Sequence, residues 1–119
     1  MARTAVRHAA TASSATPPID LTHLAAQTFG NRALEQEVLS LFLKQSASLM
    51  QRLENAAHDA QIATIHTIKG SARSIGAGQV AFVAEGIEAE LNAGNSPSFV
   101  ALAAAVDHAN AYIRKLISR

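Results

Sequence analysis

The chain has 119 residues, is 49% hydrophobic and 4% aromatic, contains no cysteine, and carries ten Lys and Arg against nine Asp and Glu. A chain of this length makes one domain, and its near-balanced charge and few aromatics leave no footprint for nucleic acid. The missing cysteines exclude a disulfide framework and thiolate metal sites, and no apolar run approaches the roughly 20 residues needed to span a bilayer.

Residues 1–18 are rich in Ala, Ser and Thr, carry Arg3 and Arg7 without an acid, and end in Pro17-Pro18. They read as a disordered, solvated tail preceding a domain at 19–119. The composition has something of an organellar transit peptide, but no amphipathic apolar face accompanies it, and no apolar segment of a secretory signal follows the arginines. The tail, and an end at Arg119 just past the last helix, suggest a free-standing protein.

Asp20 can cap a short first helix bearing Leu21, Leu24, Ala25 and Phe29 and stopping at Gly30. Asn31 caps a long second helix, ending near Ala57, whose apolar stripe is Leu34, Val38, Leu41, Phe42, Leu49 and Leu53. The third opens near Asp59, buries Ile62, Ile65, Ile68, Ala72 and Ile75, and stops at Gly76-Ala77-Gly78. The fourth runs from about Gln79 with Val80, Val83, Ala84, Ile87 and Leu91 on one face, and closes at Asn92-Ala93-Gly94-Asn95. Ser96 is expected to cap the fifth, with Pro97 at its first position and a stripe from Phe99 through Leu102, Ala103, Val106, Ala109, Tyr112 and Ile113 to Leu116. No segment alternates with the period of a strand. The expected fold is all-α: an antiparallel up-and-down four-helix bundle with a short extra N-terminal helix packed over one end. Four stripes can bury one another within one chain, so a monomer is expected.

On the third helix His66, Lys69, Gly70 and Arg73 fall at i, i+3, i+4 and i+7, on one face along the edge of the core. A glycine inside a helix costs roughly 1 kcal/mol relative to alanine, and one turn from His66 it would let another molecule's surface approach the imidazole. If the third and fourth helices form a hairpin centred on Ala77, residues whose numbers sum to about 154 lie at one height, which pairs His66 with Glu88. Ala81, Glu85 and Asn92 share the rim of the fourth helix with Glu88. A carboxylate there can accept a hydrogen bond from one imidazole nitrogen and make the other a better nucleophile; it can equally pair with Lys69 or a nearby arginine. Lys69 and Arg73 suit the charge and oxygens of a phosphoryl group, although alone they would be a solvated face. No phosphate-binding loop, kinase-like glycine loop or carboxylate cluster for magnesium occurs, so neither ATP binding nor self-phosphorylation is expected. Ser71 can simply pack small or bond back to its own helix. His8, His23, His58 and His108 lack ligand spacing and are read as incidental, with no metal site.

The run His66-Thr67-Ile68-Lys69-Gly70-Ser71-Ala72, followed by Ile75-Gly76-Ala77 and then by Val80, Ala84, Ile87 and Glu88, resembles the HxxKG(S/A/G) signature of histidine-containing phosphotransfer (HPt) domains, relay modules of two-component phosphorelays. The resemblance implies that His66 is phosphorylated, that Lys69 assists with phosphoryl charge, and that Gly70 allows a receiver domain to dock, with Ser71 and Arg73 beside it. Glu88 stands where chemotaxis histidine kinases carry a histidine-orienting glutamate and many other HPt domains carry a different residue. The implied reaction is reversible transfer between His66 and a receiver aspartate. The implied partners are response-regulator receiver domains and a hybrid or sensor histidine kinase, in a bacterial cytoplasm, without nucleic acid or membrane. The chain itself needs no cofactor, magnesium being bound by the receiver. The apolar docking patch is expected around the His66 stripe, with exposed parts of the first helix and Val80 or Ala81. A non-enzymatic helical adaptor binding a partner helix is the alternative; a metal or haem bundle is disfavoured because no facing histidines and no Glu-x-x-His pair appear.

Overall fold

The computed structural model describes residues 17–118, which form five helices and, among the described residues, no strand. The expected tail at 1–18 lies outside the described residues except for Pro17 and Pro18. The helices are α1 (Leu21–Gln27), α2 (Arg32–Leu53), α3 (His58–Ile75), α4 (Gly78–Asn92) and α5 (Val100–Ile117). Each of α2 to α5 packs on its neighbours in the chain, and α5 returns to α2, closing a four-helix ring; α1 lies against α3. The fold is the expected all-α four-helix bundle with a short additional N-terminal helix.

Two of the helix starts follow from side-chain caps. Asp20 Oδ1 accepts from the His23 backbone N–H at 3.1 Å, and Asn31 Oδ1 accepts from that of Leu34 at 3.0 Å, each satisfying an otherwise orphaned donor in a first turn. The α3–α4 hairpin is made by Gly76, which is left-handed at φ 80°, while the Ala77 N–H donates to Ala72 O at 2.8 Å. This is the six-to-one bond of a glycine-terminated helix. A β-carbon on Gly76 would lie 2.9 Å from Asp20 O. The closeness has a purpose: Asp20 N–H donates to Gly76 O at 2.9 Å, which pins the entry of α1 onto the hairpin.

The core is aliphatic, running through Ile65, Ile68 and Ala72 of α3, Val80, Ala84, Ile87 and Leu91 of α4, and Leu102, Val106, Ala109 and Ile113 of α5. Alanines facing one another let α3 and α4 approach most closely, which matters because their outer edges carry the His66 stripe. Ile19, just after the double proline, is completely buried. Among the described residues no helix is long and apolar enough to cross a membrane.

Three sequence expectations are corrected. First, α5 starts at Val100 with Phe99 as its cap residue, and not at Ser96-Pro97. Phe99 is buried, so the preceding residues are drawn out to bring its ring into the core, and Ser98 Oγ accepts from the Val100 N–H at 3.2 Å instead. Second, the buried side of α2 is Leu39, Phe42, Ser46 and Leu53, so the stripe is rotated away from Leu41, which is 63% exposed. α2 also stops at Leu53, whose carbonyl accepts from Gln61 Nε2 at 3.1 Å. Third, α1 ends at Gln27, with Thr28 buried as its cap and Phe29 left-handed at φ 57°. That turn swings the Phe29 ring outward, leaving it 90% exposed.

Candidate functional site

The predicted hairpin register places His66 beside Glu88. Nδ1–H of His66 donates to Glu88 Oε2 at 2.8 Å, which leaves Nε2 with its lone pair and no partner among the described residues. The imidazole is 68% exposed and the Glu88 side chain only 14%, so a sheltered carboxylate holds an open ring. The second oxygen of Glu88, Oε1, accepts from Lys69 Nζ. Both pairings open to Glu88 at the sequence level are therefore made at once, one on each oxygen. Lys69 and Glu88 are equally sheltered. The Lys69 ammonium holds the Glu88 carboxyl below the usual glutamate range; burial opposes this, and the hydrogen bond from His66 adds to it. An ionised acceptor of this kind favours the Nδ1–H tautomer and supports positive charge on the ring.

One turn further on, Arg73 donates to Glu85 Oε1 at 2.7 Å, with both side chains more than half exposed. An exposed pair such as this contributes little to stability, and it sets the guanidinium at the rim of the same face. Ser71 points the other way, where its Oγ donates to Gln45 Oε1 of α2 at 2.8 Å. It neither bonds back to its own helix nor joins His66; it ties α3 to α2. Gln45 was not singled out in the sequence, and its only signal was a polar residue on the α3 flank of the α2 stripe. Glu85 was read as a rim residue, and its pairing with Arg73 follows from the hairpin register.

Gly70 has open space where its β-carbon would stand, so no close packing within the chain accounts for a glycine in the middle of α3. The exposed surface beside it continues over Thr67 and Ser74 to Leu41 of α2. Val80 and Ala81, named in the sequence as possible docking contacts, are 1% and 7% exposed and belong to the core. Leu41, Leu21 and Phe29 are the large apolar side chains left open on α1, α2 and their connection.

The other histidines stay apart from this site. His58 Nε2 donates to Leu91 O at 2.8 Å, stitching the start of α3 to the end of α4, a structural part that the sequence reading did not assign. Among the described residues no group of three or more His, Cys, Asp and Glu could hold a metal ion.

Fold and site define a four-helix bundle that presents one oriented, solvent-facing imidazole with a lysine and a bare helix surface next to it. A family model described as Hpt domain matches residues 37–118, which covers most of the chain and includes His66, Lys69, Gly70 and Glu88; the protein belongs to the Hpt domain family. Members of this family carry phosphoryl groups on histidine in two-component phosphorelays and interact with receiver domains and kinases. Searches of curated proteins and of solved structures gave no match.

Proposed function

We propose that this protein relays a phosphoryl group through Nε2 of His66, to and from the aspartate of a response-regulator receiver domain. The observation that carries the proposal is the His66–Glu88 hydrogen bond at Nδ1, with Nε2 left facing solvent. In the forward step the Nε2 lone pair attacks the phosphorus of the receiver's aspartyl phosphate. The P–N bond forms as the P–O bond breaks, and the aspartate leaves as a carboxylate. Positive charge gathering on the imidazole is shared with Glu88 through Nδ1–H, and Lys69, one turn along α3, offsets the charge of the phosphoryl oxygens. The reverse step returns the group to a receiver. Magnesium is assigned to the receiver, phosphate input to a hybrid or sensor kinase, and the compartment to the cytoplasm.

The receiver would dock over Gly70, where nothing stands between its surface and the α3 backbone, with Leu41 and Ser74 at one border and Arg73 at the other. The test is transfer from a phosphorylated receiver in the presence of Mg2+. An acid-labile, base-stable phosphate should appear on the wild type and be absent from His66→Gln. No label on the wild type, in a reaction that labels a control phosphotransfer domain, would reject the relay and leave the helical adaptor.

A further inference from the structure

The outer face of α4 is the second surface that the fold leaves without an occupant. Gln79, Phe82, Gly86 and Ala89 recur at helical spacing and are all exposed. Phe82 is 73% exposed, although nothing in the bundle needs an aromatic ring there. Gly86 sits in the helix interior with open space at its β-carbon, at a cost of about 1 kcal/mol relative to alanine. Together they form a knob and, one turn later, a gap: a shallow hollow of about 470 Å³ lies over Gly86 with Phe82 at its border.

We infer that this face pairs with the same face of a second copy, the two α4 helices running antiparallel about a two-fold axis between Phe82 and Gly86. The spacing carries the inference, because a two-fold axis requires each surface to contain its own complement. With positions summing to 168, the Phe82 ring of each copy lies over Gly86 of the other, filling both hollows. Glu90 then falls over the partner's Gly78. That end of α4 has no side-chain cap and no acid in its first turn, so the carboxylate meets the positive end of an uncapped helix dipole. The expectation of a monomer counted only the four stripes that bury one another and omitted this face.

A single helix of 15 residues offers about 22 Å of contact, which falls short of the roughly 1,000 Å² of a durable interface. The dimer is therefore weak and concentration-dependent. His66 and Glu88 lie on the α3 flank of α4 and stay uncovered, so phosphoryl transfer is a separate readout.

Sedimentation velocity of the full chain between about 10 μM and 1 mM, the range for small interfaces, tests the inference. The weight-average mass should rise above the monomer's 12.5 kDa as concentration increases. Phe82→Ser, which removes the knob, and Gly86→Gln, which fills the gap and favours helix, should each weaken association by about tenfold or more, as loss of a central aromatic anchor does. Both should retain the wild-type helical circular dichroism and rate of phosphoryl transfer. A wild type that stays monomeric throughout would overturn the inference, as would a dimer that both variants form equally well.

Discussion

Glu88 holds two neighbours with one carboxylate, and the two oxygens have different consequences. Oε2 fixes which imidazole nitrogen carries the proton, while Oε1 holds Lys69 close to the ring. Glu88→Ala removes both and should slow phosphoryl transfer on the order of ten- to a hundredfold, the range over which loss of an orienting partner acts on histidines in other sites. Glu88→Gln keeps an acceptor without the charge and should lose less. The same carboxylate has a signature in acid. Its native pKa is lowered from 4.5, chiefly by the hydrogen bond from Lys69, so the unfolded chain takes up this proton more readily than the native one. Its contribution to stability is thus fully present above about pH 4.5, the unfolded value, and is lost as pH falls through the depressed native value. Urea denaturation of wild type and Glu88→Gln should show a stability gap that narrows across that window; a gap independent of pH would remove the linkage. The position of Glu88 was legible in the sequence because a hairpin turn converts residue numbers into heights. Its double pairing was not, since both Lys69 and His66 lie within one turn of that height and side-chain reach decides between them.

At the scale of the helices, Gly70 and Gly76 are one residue type under opposite constraints. Gly76 is left-handed, and an added methyl group would meet backbone atoms of Asp20, so Gly76→Ala should cost at least the roughly 1–2 kcal/mol of a left-handed alanine. Gly70 has helical geometry and free space, so Gly70→Ala should stabilise the fold by about 1 kcal/mol, while a bulky residue there should slow transfer and leave the helical content unchanged. Denaturation midpoints for the two alanine variants, moving in opposite directions, would separate a glycine kept for the turn from one kept for a partner. Caps made by short local bonds, such as those of Asp20 and Asn31, were readable for the same reason that Gly76 was: the chemistry lies within four residues. The start of α5 was not, because burial of Phe99, a tertiary demand, overrides the local preference of Ser96-Pro97 for opening a helix. Leu41 shows the same limit. Leu39 and Leu41 sit near opposite borders of one apolar arc, and only the position of α3 and α5 decides which of them is covered.

Across the whole molecule, the ring of helices closes where α2 meets α5, the pair most distant in sequence. Ser46 and Asn110 meet there, the Asn110 Nδ2 donating to Ser46 Oγ at 3.0 Å across a separation of 64 residues. Both are buried among aliphatic side chains, and Asn110 Oδ1 has no partner among the described residues. A buried polar pair contributes little net stability but is costly to break on one side. Ser46→Ala should therefore destabilise by about 1–3 kcal/mol, since it strands the Asn110 amide. The double variant Ser46→Ala with Asn110→Leu should recover most of that loss, because no polar group is then left unpaired. Thermal and urea unfolding of both singles and the double form a cycle whose coupling energy isolates the pair; additive losses would mean that the bond contributes nothing beyond side-chain volume. Apolar stripes alone do not distinguish one sliding register of α5 on α2 from another a turn away, whereas a single hydrogen bond does. If the recovered variant is as stable as wild type but shows broadened amide resonances along α5, the function of the pair is to fix that register. It would hold α4 in place between α3 and α5, and with it the height at which Glu88 meets His66.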